Sequence, residues 1–65
     1  MTDLETYRYW ATNYDAICRR AVIGAITDES ADRTIRGMEE RLGVDRWSVE
    51  RWEAAYAAWR KELGA

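Results

Sequence analysis

Apolar residues return every three or four positions along almost the whole chain, and no proline interrupts them. That period puts them on one side of an α-helix, whereas a half-buried strand needs strict alternation. Counting 100° per residue from Tyr7, the residues Leu4, Trp10, Ala11, Tyr14, Ile17, Cys18, Ala21, Val22 and Ala25 share its face. The stripe predicts a first helix over about residues 3–26. Thr27-Asp28-Glu29-Ser30 then supplies capping side chains and early acidic charge, the start signal of a second helix.

The second helix is expected over about 28–42, with Ala31, Ile35, Met38 and Leu42 on its inner face. Gly37 lies in its interior, where Gly is about 1 kcal/mol less favourable than Ala. Close approach by the first helix is the expected reason for it. Gly43 suits the left-handed residue just beyond a helix end. A third helix is expected over about 45–63, capped by Asp45 and ended by Gly64, with an inward stripe of Val49, Trp52, Tyr56, Trp59 and Leu63. Those five residues are spaced 3, 4, 3, 4, the heptad spacing that packs helices side by side. Alternating β-branched runs, low-complexity tracts and internal repeats are absent from the sequence.

The fold class that follows is all-α: one domain over residues 1–65, built as a small three-helix bundle. The first helix should run antiparallel to one or both of the others. Its core should hold Tyr7, Trp10, Tyr14, Ile17, Ile35, Met38, Leu42, Val49, Trp52, Tyr56 and Trp59. A chain of 65 residues buries only about 60% of the surface its unfolded form exposes. Below roughly 70–80 residues one core rarely supplies more than about 3–5 kcal/mol. Cys18 stands alone and cannot pair within the chain, and there is no histidine for a zinc site. Homodimerisation would supply the missing burial.

Between Leu42 and Glu53 the chain reads Leu-Gly-Val-Asp-Arg-Trp-Ser-Val-Glu-Arg-Trp-Glu. With Met38 before it, this segment resembles a helix-turn-helix of the Cro/repressor type across residues 35–54. Met38, Leu42, Val44, Val49 and Trp52 fall on the apolar positions of that pattern, and Gly43 on its turn. In such a motif Gly43 permits the reversal, while Val44 and Val49 pin the two helices where they cross. One position after Met38, where the family places a small residue at a helix contact, this chain has Glu39. The resemblance implies a second and third helix arranged as a helix-turn-helix, with Arg46, Trp47, Glu50 and Arg51 facing a DNA groove in a dimeric transcriptional regulator.

Charge and composition pull the other way. Ten Lys and Arg face twelve Asp and Glu, giving a net charge of −2 and a pI near 5.0. DNA-binding domains tend toward a pI above about 9 with clustered Lys and Arg. Asp45, Glu50 and Glu53 add negative charge near the expected groove-facing residues. The basic set is nine Arg and Lys61, and arginine forks carboxylate and phosphate equally well. No nucleophile–base set, phosphate loop or metal-ligand spacing is present, and the carboxylate pairs Glu39-Glu40 and Glu50…Glu53 read as solvent-facing. No enzyme, cofactor or metal is therefore expected.

Two functions remain. The first, favoured by the acidic balance, is a protein-binding module, a regulator or inhibitor docking its third helix on a larger partner. In size and charge, though not in motif, the chain is similar to small phage-encoded inhibitors, including anti-CRISPR proteins. The second is the helix-turn-helix DNA-binding regulator. Trp47, placed opposite the core stripe of a continuous third helix, either tucks against Leu42 and the turn to complete a small core or, with Arg51 one turn along, serves as an outward anchor, since Trp and Arg are enriched at binding hot spots. Arg46 and Glu50 complete the expected partner-binding set. No hydrophobic run approaches the roughly 18 residues of a membrane span, and no signal peptide is apparent. Cys18 reads as a reduced, packed thiol, so the expected location is cytoplasmic.

Overall fold

Each helix is started by a hydroxyl side chain. Thr2 Oγ1 accepts from the Glu5 N–H at 3.1 Å, and Glu5 Oε1 accepts from the Thr2 N–H at 3.0 Å, closing a reciprocal capping box. Thr27 Oγ1 accepts from the Ser30 N–H, and Ser48 Oγ from the Arg51 N–H. The computed structural model describes residues 1–64. Among them lie three α-helices, α1 (Asp3–Val22), α2 (Asp28–Leu42) and α3 (Val49–Gly64), with a short 3-10 turn at Val44–Arg46 before the last. No strand forms among the described residues. The protein is an all-α, three-helix bundle.

The boundaries depart from the sequence reading in two places. The first helix ends at Val22 rather than near residue 26, because Gly24 takes φ +78° and turns the chain out of the helix. The Ala25 N–H then donates to the Arg20 carbonyl at 2.9 Å, satisfying a group that the helix end would otherwise strand. Gly43, at φ +77°, closes α2 in the same left-handed conformation, as its position predicts. Asp45, expected to cap the third helix, lies inside the 3-10 turn instead. The chain is extended at Trp47, with φ −70° and ψ 143°, and Ser48 takes over the cap.

The five residues 23–27 fold α2 back along α1 as an antiparallel hairpin. Ile17 of α1 and Ala31 and Met38 of α2 are buried in this hairpin. Near its open end the Trp10 indole N–H donates to Glu39 Oε2 at 3.0 Å. Glu39, expected to face solvent, is half-buried for this reason, and its carboxylate satisfies the indole that the contact covers.

The third helix crosses α1 rather than running beside it. Asp3 and Arg8 of α1 pair with Arg51 and Glu62 of α3. A span of about 8 Å on one helix therefore meets a span of about 17 Å on the other. The crossing is centred on Tyr7, which is 5% exposed. Its ring lies 5.0 Å from Trp52, 5.5 Å from Trp59 and 6.1 Å from Tyr56, all on α3, and 5.5 Å from Trp10. These are the tilted and edge-on separations that aromatic pairs prefer. Ala55, beneath the cluster at 4% exposed, lets the two backbones approach.

This docking turns α3 away from the expected orientation. The inner face centres on Trp52, Ala55 and Trp59, whereas Val49 and Leu63 are 69% and 67% exposed and Tyr56 is 40% exposed. Tyr14 of α1, also placed in the core by periodicity, stacks on Trp10 at 4.9 Å and keeps its other side open. The stripe on α3 is too wide for one crossing helix to cover.

Gly37 does not serve a close helix approach. A methyl group built there would meet only Arg41 Nη1, at 3.5 Å, an ordinary contact. Replacing it should therefore gain helix propensity without a clash. Gly37→Ala is expected to raise stability by about 0.5–1 kcal/mol, read as a higher urea midpoint at unchanged slope.

Candidate functional site

The residues singled out in the sequence gather where α2 hands over to α3. Arg46 and Glu50 are exposed and join none of the ion pairs among the described residues. Trp47 and Arg51 have internal partners. The Trp47 indole is half-buried, standing edge-on to Trp52 at 5.8 Å. It precedes α3, so its direction is set by the turn and not by helical phase.

Arg51 reaches over it, with Cζ 4.4 Å from the Trp47 ring centre. Its Nε–H and Nη2–H donate to the two carboxylate oxygens of Asp3, at 2.9 Å each. This fork-to-fork geometry is the strong form of an arginine–carboxylate contact. It ties the start of α3 to the start of α1 and roofs the indole with a cation. A second ion pair ties the far end of α3 to α1 through one nitrogen: Arg8 Nη2–H donates to both Glu62 oxygens, at 2.7 and 2.9 Å. Neither latch was visible from spacing, because the partners lie 48 and 54 residues apart.

The electrostatics follow from these contacts. The hydrogen bonds from Arg51 hold the Asp3 carboxyl below the usual range, and the Thr2 backbone N–H does the same for Glu5. Burial raises the Tyr7 phenol. No group of three or more His, Cys, Asp or Glu side chains that could hold a metal occurs among the described residues. Cys18 is a free, half-buried thiol on α1. No described helix is long and apolar enough to cross a membrane.

The larger feature is one that periodicity assigned to the interior. Val49, Tyr56 and Leu63, each seven residues from the next, form an open apolar line about 21 Å long on the outer flank of α3. Arg60 leans over its middle, with Nη1–H donating to the Tyr56 hydroxyl at 3.0 Å. Glu53 lies on the same side, one turn before Tyr56. The alanines at 54, 57 and 58 are also exposed. No known protein-family model matches the chain, and neither a curated protein nor a solved structure shows significant similarity to it.

The Asp3–Arg51 latch makes a pH prediction. A carboxyl whose pKa is lower folded than unfolded stabilises the fold fully above its ordinary range. That contribution is lost as pH falls through the depressed value. Asp3→Asn should lower the thermal midpoint at neutral pH and flatten its acid dependence, so that the two proteins converge in strong acid. Melting curves followed by circular dichroism check this; parallel pH profiles would contradict it.

Proposed function

We propose that the chain is a non-enzymatic protein-binding module that docks its third helix on another protein, in the manner of a small regulator or inhibitor. The observation that carries this reading is surface left over after folding. A monomer of 7.6 kDa is expected to expose about 4,300 Å². This chain exposes 4993 Å². The excess, roughly 700 Å² over the whole molecule, includes the exposed Val49, Tyr56 and Leu63 of α3 as well as Tyr9, Val22 and Ile23.

A radius of gyration of 12.8 Å supports the same reading, since about 11 Å is expected for this length. The uncovered Val49–Tyr56–Leu63 line is the apolar centre such an interface needs, and Arg46 and Glu50 stand at its polar edge. Trp47 and Arg51 act indirectly, by fixing the start of the docking helix.

The groove-reading alternative gains little from the same surface. Arg51 is already forked to Asp3, and the outer side of the first turns of α3 carries Glu50 and Glu53. Contacts with phosphates would have to come from Arg46 and cations farther along.

The test uses the whole chain immobilised as bait in an extract of its native cells. Val49→Asp with Leu63→Asp should abolish partner capture with the helical circular dichroism unchanged, because both side chains lie outside the core. Sequence-specific DNA binding whose affinity falls steeply with salt, unaffected by those substitutions, would overturn the proposal in favour of a DNA-binding regulator.

A further inference from the structure

We infer that the occupant of the Val49–Tyr56–Leu63 line is a second copy of this chain, paired antiparallel through α3 about a two-fold axis at Tyr56. The inference rests on the protein-binding reading above and names the partner for that line.

The first argument is the placement of charge. Glu53 lies three residues before Tyr56, and Arg60 four residues after it. A two-fold axis through Tyr56 therefore sets Glu53 opposite the partner's Arg60, and Arg60 opposite the partner's Glu53. Two ion pairs of opposite sign flank the apolar line, one on each side of the axis. Val49 then meets the partner's Leu63, and the two Tyr56 rings meet at the centre. Parallel pairing would instead carry the Glu53–Arg60 flanks of the two copies to opposite sides of the seam, where neither charge meets its counterpart. Only the antiparallel alignment brings the opposite charges together.

The second argument is order. Arg60 is already held over the line by its bond to the Tyr56 hydroxyl, so less side-chain freedom is lost on pairing. The third is area. Val49 and Leu63 are 69% and 67% exposed and Tyr56 is 40% exposed, apolar surface that an isologous contact would cover on each copy. Three apolar residues per copy make a short seam, so the dimer should form reversibly and depend on concentration. Arg46 and the far side of α3 stay outside the seam.

Sedimentation velocity over a series of chain concentrations reads the result. The natural sequence should shift from monomer to dimer as concentration rises. Glu53→Arg alone and Arg60→Glu alone should each remain monomeric, since each places like charges on both sides of the axis. Mixing these two variants should restore a dimer, because the mixed pair has two opposite-sign contacts. The double variant Glu53→Arg/Arg60→Glu should pair with itself. Both substituted positions are exposed, and an unchanged helical circular dichroism confirms that folding is intact. A natural chain that stays monomeric up to about 1 mM, the weak limit for a contact of this size, would overturn the inference. So would single variants that pair as well as the natural chain, or a mixture that does not recover. A monomeric chain whose partner capture is still lost through Val49→Asp and Leu63→Asp would overturn self-pairing and leave the protein-binding reading standing.

Discussion

Tyr7 carries the tertiary structure. Its ring is the centre of the contact that mounts α3 on the α1–α2 hairpin, and Trp10, edge-on to Trp52 at 4.8 Å, is the second point of that mount. One ring, buried near the start of α1, meets three aromatic rings of α3 spread over two turns. Two arginine–carboxylate pairs, the bidentate Asp3–Arg51 and the Arg8–Glu62, then hold α3 to α1 at both ends. They are half-exposed and weak as isolated pairs. Their value is directional, because each fixes which part of α3 stands over which part of α1.

The openness of the molecule follows from the same crossing. Helices packed side by side could cover a heptad stripe along their whole length. A crossing helix covers one patch, here Trp52, Ala55 and Trp59. On the other half of the stripe Val49 and Leu63 are left facing outward, and Tyr56, edge-on to Tyr7 on its inner side, is 40% exposed. Three helices in a chain this short cannot turn every apolar residue inward; part of the surplus lies on this line, and the rest, including Tyr9, Val22 and Ile23, lies elsewhere on the molecule. The proposed function and the proposed second copy both arise from that surplus.

Much of this was legible in the sequence. Periodicity gave the three helices, and Thr27 and Gly43 bounded the second one correctly. The Thr2-x-x-Glu5 spacing is the signature of the capping box that starts α1 and could have been read directly. The phase of α3 could not. A 3, 4, 3, 4 stripe marks which residues are apolar, but it does not say which flank meets a neighbour. The same limit left Trp47 open between core and surface, since its direction depends on an extended residue between two helical segments. Arg51 looked like an outward anchor because its carboxylate partner is distant in sequence. Glu39 looked solvated because its indole partner lies on another helix. In each case the missing information was a contact between elements, which local pattern does not contain.

The central claim is that α3 turns Ala55 inward and Val49 and Leu63 outward. Methyl resonances recorded on the dilute chain with a soluble paramagnetic relaxation agent test it most directly. The account predicts strong broadening of the Val49 and Leu63 methyl signals, with those of Ala55 and Met38 nearly untouched. Protected Val49 and Leu63 methyls beside a broadened Ala55 methyl would contradict it.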